Sequence, residues 1–419
     1  MKWEHLSPEY RVLLHCARNY LADERVWNVA SLLEGPLDWC KLLELASWHR
    51  LSALLFHNLT RAELRSGVPP WVMQEIEGIY YDNIARNLRF QAELGKVLRT
   101  LYTQEIAAIV LKGSALLEPV YRDIGLRPMG DLDILVDDDN LAFADDLVKG
   151  LGYSPSANDE IQQKTRDEHR HFPALFSPDG IVTVEIHRHI VRPDSPLHFN
   201  LSGLRDRAPE ATIAGAQALV LAPEDLITHL CIHFFLDRRY SSRAALGQLC
   251  DISETIQHYE SVLDWELFCR EAQKNNHSGP LHSALFAAKA MLGTSPPEFV
   301  LKSLEPPVFN PDMAELFHKN RVLGTTPWLA HEVLDPRSGY TPMNWVKSSF
   351  RRILPSTADL ASKYGRSSSR WGVLLYVRRT LQVGWLSGRS LLHPRRMRQD
   401  LQLDRWLHSI CCCRDLGGQ

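Results

Sequence analysis

Apolar positions change their period along the chain. Over the first hundred residues they recur at helical spacing, as in Leu42, Leu45, Ala46, Leu51, Leu54 and Leu55, and the stretch from Trp71 to Thr100 carries few breakers. Both read as amphipathic helices. From Ile106 the pattern shortens to a strand through Leu111, a helix over Ala115 to Arg122, a strand around Leu132 to Val136, and a helix over Leu141 to Leu151 closed by Gly150 and Gly152. His171 to Phe176 and Ile181 to His187 flank the turn signal Ser177-Pro178-Asp179-Gly180 and predict a hairpin. After about residue 200 the alternation stops and helices resume, over Pro223 to Phe235, Arg243 to Tyr259 and Trp265 to Lys274. Pro296-Pro297, Pro306-Pro307 and Pro311 mark a linker-like stretch, and Ser367-Ser368-Ser369 a loop. The expected class is α+β: a helical region at 1–100, a small mixed sheet with helices at 101–200, a helical bundle at 201–295, and a linker with a mostly helical C-terminal region at 296–419.

Two strands carry acids on their polar side. Asp131 and Asp133 are two apart, so they project from one face while Leu132, Ile134 and Val136 face the other. Adjacent carboxylates repel, and a divalent cation is the simplest reason to display them together; the alternative is a solvated acidic edge. In the later strand Val182, Val184 and Ile186 alternate with Thr183, Glu185 and His187. Were the two strands neighbours, three acids would converge. Upstream, Lys112-Gly113-Ser114 ends the first strand in a turn that can approach phosphate oxygens.

Gly-Ser, then Asp-x-Asp on one strand and a lone acid on a later one, resembles the DNA polymerase beta-like nucleotidyltransferase superfamily. Leu-Lys-Gly, an Arg before Asp-x-Asp-Ile-Leu-Val, and Val-Glu-Ile-His are similar to its bacterial uncharacterised nucleotidyltransferase group. The resemblance covers about residues 80 to 270 and departs in spacing, with sixteen residues between Ser114 and Asp131. It implies a polymerase beta-like core between helical regions, and transfer of a nucleoside monophosphate from a triphosphate such as ATP to a hydroxyl of a small molecule, peptide or protein. It further implies Mg²⁺ (or Mn²⁺) held by Asp131, Asp133 and Glu185, with Glu185 as base. Lys112, Gly113, Ser114 and Arg127 would bind the nucleotide, with His187 orienting Glu185 or contacting substrate. Lys112 and Arg127 could instead be salt bridges to the acidic cluster.

Other charged groups read differently. Asp137-Asp138-Asp139 is a solvated turn and helix N-cap. His229 and His233 share a helix face but lack the intervening Glu of a zinc motif, with Asp251 a conceivable companion across the bundle. Asp82, Arg86 and Asn87 either reach the nucleotide site or, for Asp82 and Arg86, form a surface pair.

Bulk properties narrow the classes. With 45% hydrophobic and 23% charged residues the chain is expected to fold rather than remain disordered. No apolar run is long enough to span a bilayer and Met1-Lys2-Trp3-Glu4-His5 lacks a signal peptide's apolar core, so a cytoplasmic location is expected. Eight cysteines without a Cys-x-x-Cys pair are expected to be reduced thiols, Cys411 to Cys413 among them. From Thr341 to Gln419 there are fourteen Lys and Arg against four Asp, in a chain of net charge −3. That basic segment could meet a polyphosphate, a nucleic acid or the acidic remainder of the chain. Two alternatives to an enzyme of this class therefore stand: a non-catalytic nucleotide-binding or regulatory module, and a nucleic-acid-acting relative, against which the near-neutral charge and missing RNA-binding signature count.

Overall fold

Alternation in two short strands organises the molecule, because it gives one small sheet two different faces. In the computed structural model, which describes residues 6–155, 172–191, 195–238, 243–324 and seven residues within 402–410, the strands are β1 (Ile109–Val110), β2 (Leu132–Leu135), β3 (Ser154–Pro155), β4 (Leu175–Phe176), β5 (Thr183–His187), β6 (Glu210–Ile213) and β7 (Ala216–Val220). They form a mixed sheet in the order β3-β4-β5-β2-β1-β7-β6. At its centre β2 runs parallel to β5 and antiparallel to β1, with Leu132 opposite Val184, Asp133 opposite Glu185, Ile134 opposite Ile186 and Leu135 opposite His187. β4 and β5 make the expected hairpin around Gly180.

Helices cover both faces. The N-terminal region folds as α1 (Pro8–Cys16), α2 (Asp23–Leu33), α3 (Trp39–Trp48), α4 (Ser52–Leu59), α5 (Ala62–Arg65) and α6 (Pro70–Thr103). The apolar series from Leu42 to Leu55 is therefore two helices, broken at Arg50, whose φ is +58°. α7 (Lys112–Leu116) and α8 (Asp138–Gly150) alternate with the strands. The later helices are α9 (Leu201–Arg207), α10 (Pro223–Arg238), α11 (Ala245–Tyr259), α12 (Trp265–Lys274), α13 (Ser278–Leu292), α14 (Glu298–Leu304) and α15 (Pro311–Phe317). Leu132, Ile134, Val136, Val182, Val184 and Ile186 are buried in one core with Phe90, Leu94 and Leu98 of α6 and Leu141, Ala144 and Val148 of α8. Ile109, Leu111 and Leu135 join a second core with the N-terminal helices and α10, α11 and α13. Each large side chain so enclosed contributes about 1.5–3 kcal/mol.

Two sequence expectations need correction. The strands do not stop at residue 200: β6 and β7 come between α9 and α10, and β7 extends the sheet parallel to β1. Their Ala-rich sequence has little strand propensity, and the connection is an Ala214-Gly215 turn with φ of +52° and +68° rather than an Asn-Gly signal. The helix expected from Ala115 to Arg122 is α-helical only to Leu116, then widens to a π-turn over Leu117–Tyr121. Pro119 lacks the N–H that an α-helix would need there, and its ring crowds the preceding turn.

Among the described residues no helix is long and apolar enough to cross a membrane. Among the described residues Cys16, Cys40, Cys231, Cys250 and Cys269 form no disulfide. The Ser367–Ser369 loop, Cys411 to Cys413 and nearly all of the basic C-terminal segment lie outside the described residues. Within that segment Leu403, Trp406, Leu407 and Ile410 are buried in the second core.

Buried histidines give that core a pH dependence. His282 packs on Phe286 and Phe309, and His318 on Phe286. Burial lowers both from the usual 6.5 to about 4. The unfolded chain then binds protons that the folded chain does not. Stability is complete above about pH 6.5 and falls as pH drops toward 4, by about 1–2 kcal/mol per histidine at pH 5. Thermal denaturation should show a lower Tm at pH 5 than at pH 7, with His282→Leu losing less over that interval than wild type; equal losses would rule out His282 as a source.

Candidate active site

Parallel pairing of β2 with β5 sets Asp133 beside Glu185, and two residues further along β5 comes His187 on the same face. One ligand atom from each of these three side chains lies within 4.8 Å of the others, close enough to hold one metal ion. His187 Nε2 stands 2.7 Å from Asp133 Oδ1 and 3.4 Å from Glu185 Oε2. Lys112 Nζ donates to Asp133 Oδ1 at 2.5 Å. Burial opposes a charge on Asp133, but Lys112 and His187 outweigh it and hold the carboxyl well below the ordinary range. Asp133 is thus a buried anion with two partners.

Asp131 occupies a different position. It precedes β2, is exposed, and is not among the three converging side chains. Its carboxyl is nevertheless raised, first by the protein walls around it and then by Asp133, with Glu185 adding to the effect. The three sequence-predicted acids therefore share one electrostatic field, while the tight trio is Asp133, Glu185 and His187. Two carboxylates and an imidazole, with a third acid at the edge, form a donor set compatible with a divalent metal ion.

The turn after β1 is constrained. Lys112 has φ +48°, an uncommon conformation for a long side chain, and its ammonium is aimed at Asp133. Gly113 is required because Arg127 lies against its backbone: a Cβ there would fall 2.2 Å from Arg127 Nη1. The sequence suggested space for phosphate at this glycine, and the close neighbour is instead a guanidinium. Ser114 is buried and its Oγ has no hydrogen-bond partner, an orphan donor beside the turn.

Arg127 is held from below. Its Nε and Nη2 each donate to an Asp251 oxygen at 2.8 Å, and the Tyr121 hydroxyl donates to Asp251 Oδ1 at 2.7 Å. Burial works against its charge, but Asp251 more than compensates and raises its proton affinity. Asp251 thus serves Arg127 rather than the histidines of α10, and Arg127 pairs with it rather than with the strand acids. From α6, Asn87 donates to the carbonyls of Ile124 and Arg127 and accepts from Met129 N–H, while Arg86 Nε donates to the Met129 carbonyl. These α6 residues fasten the loop that carries Arg127.

The remaining candidates separate. Asp137 pairs with Arg205 and Asp138 with Arg188, and Asp137 makes no side-chain cap. His233 contacts Gln248 and Asp237. His229 is buried with an unpartnered Nδ1; burial, then His233 and Lys112, keep it neutral. The roles of Tyr121 and Asp251 had no local signal, since both depend on residues more than a hundred positions away.

A profile of the family described as uncharacterised nucleotidyltransferase matches residues 35–293, more than half of the chain and all seven strands. No curated protein and no solved structure matches. The chain belongs to the uncharacterised nucleotidyltransferase family.

Proposed function

We propose that this nucleotidyltransferase moves a nucleoside monophosphate from a triphosphate, ATP in the first instance, to a hydroxyl of a small molecule, peptide or protein, with a divalent cation and release of pyrophosphate. The observation that carries this reading is the pairing of Asp133 with Glu185 across β2 and β5, with His187 between them. Asp133, Glu185 and Asp131 would hold Mg²⁺ or Mn²⁺. When bound, the cation supplies charge neutralisation at the α-phosphate and its leaving oxygen.

The chain's own groups account for the rest. The acceptor oxygen bonds to the α-phosphorus as the bond to the bridging oxygen of the β-phosphate breaks, and the hydroxyl proton passes to the Glu185 carboxylate. His187, close to both Asp133 and Glu185, keeps the base oriented. Lys112 balances Asp133, and the unpartnered Ser114 hydroxyl offers a hydrogen bond to a phosphate oxygen. Arg127 keeps the Lys112-Gly113-Ser114 turn in place through its contact with Gly113.

Incubation with cell extract and ATP labelled at the α or the γ position should transfer only the α label; acceptor labelling from the γ position would make this chain a kinase and end the proposal. With any acceptor so identified, Asp131→Asn and Asp133→Asn should each reduce transfer on the order of 10³-fold while circular dichroism stays native. Full activity in both would remove the cation site.

Glu185→Gln should lower kcat by roughly 10²-fold or more with the KM for nucleotide little changed. A KM effect alone would assign Glu185 to binding rather than proton transfer.

Ser114→Ala removes an unsatisfied buried hydroxyl and should raise stability by about 1 kcal/mol while weakening nucleotide binding. Nucleotide affinity unchanged in a titration would leave Ser114 outside the site.

A further inference from the structure

Helix α3 ends in a turn that normally belongs to glycine. The N–H of Arg50 bonds the Ser47 carbonyl at 3.1 Å and the N–H of Leu51 bonds the Ala46 carbonyl at 2.8 Å, while Arg50 itself is left-handed at φ +58°. This double closure places the left-handed residue just past the helix end, where a Cβ is a liability. The chain carries its longest cation there. The turn is fastened to α11: the Ala244 N–H bonds the Trp48 carbonyl at 2.9 Å, and a Cβ on Gly247 would fall 2.7 Å from the His49 carbonyl oxygen. Arg50 therefore projects from a fixed base.

Its direction is informative. Both terminal nitrogens of Arg50 lie 3.8 Å from where a Cβ on Gly130 would stand, the residue immediately before Asp131. The side chain is exposed, and among the described residues its guanidinium makes no hydrogen bond or ion pair. The neighbouring Arg127, by contrast, is already matched by Asp251. An accessible guanidinium at the edge of the acidic site, on a strained but anchored turn, suits bidentate binding of phosphate.

We propose that Arg50 binds the β- and γ-phosphates of the nucleotide and holds the departing pyrophosphate, so that the N-terminal helical region completes the substrate site. This rests on the nucleotidyl-transfer reading above. Arg127 and Arg243 repel the Arg50 charge, while Asp131 and Asp251 attract it. A polyphosphate relieves the repulsion between these cations.

Arg50→Gly tests the idea, because glycine suits the left-handed turn and should preserve or raise Tm. Calorimetric titration of wild type and variant would use inorganic triphosphate, ATP with Mg²⁺, and AMP. Triphosphate and ATP should bind roughly tenfold more weakly or worse in the variant, with AMP affinity unchanged. Arg50→Lys, which keeps charge but not the planar fork, should fall between. Equal triphosphate affinity in wild type and Arg50→Gly, no triphosphate binding to wild type, or an equal loss for AMP would each overturn the assignment. Arg50-dependent triphosphate binding in a wild-type protein that never transfers the α label would instead overturn the transfer reading and leave this phosphate site standing.

Discussion

A buried carboxylate must be compensated, and in this protein Asp133 is that carboxylate. It sits in the central strand, almost wholly removed from solvent, and its charge survives because Lys112 and His187 both reach the same oxygen. An unpaired anion there would cost several kcal/mol. The requirement explains the strained Lys112 backbone, the position of His187 on β5, and the parallel register that brings Glu185 alongside. Metal binding and proton transfer, as proposed, would use the carboxylates of Asp131 and Glu185 that stand beside this compensated anion.

A second constraint ties the helical regions to this cluster. Arg127, between the turn after β1 and β2, is pinned by Asp251 of α11, and its loop is fastened by Asn87 and Arg86 of α6. The same α11 receives the end of α3 against Gly247. The helices before and after the sheet thus meet around one guanidinium. Reactions that depend on positioning more than on covalent chemistry place a premium on such rigid support.

Much of the core was readable from local pattern. Alternation at Leu132, Ile134 and Val136 and at Val182, Val184 and Ile186 gave the two central strands, because a half-buried strand must separate apolar from polar side chains at every second residue. The long α6 and the opening of α10 at Pro223 followed from spacing and from a proline at the first helical turn. The Ala-rich hairpin β6–β7 escaped because its strands are specified by the edge they join rather than by their own residues. The π-turn escaped because a single proline redirected an otherwise helical pattern.

The amino-acid sequence by itself determined which residues could carry chemistry: acids at alternate strand positions, a Lys-Gly-Ser turn, and a family resemblance that joined them. Periodicity and side-chain type are local properties, so they can be read without coordinates. Tertiary structure alone decided how those residues are shared. It drew His187 into the trio with Asp133 and Glu185, left Asp131 exposed, gave Arg127 to Asp251, and brought Arg50 close to Gly130. These assignments depend on contacts between residues distant in the chain, and they are settled only by which pairings relieve buried charge once the helices and sheet have packed.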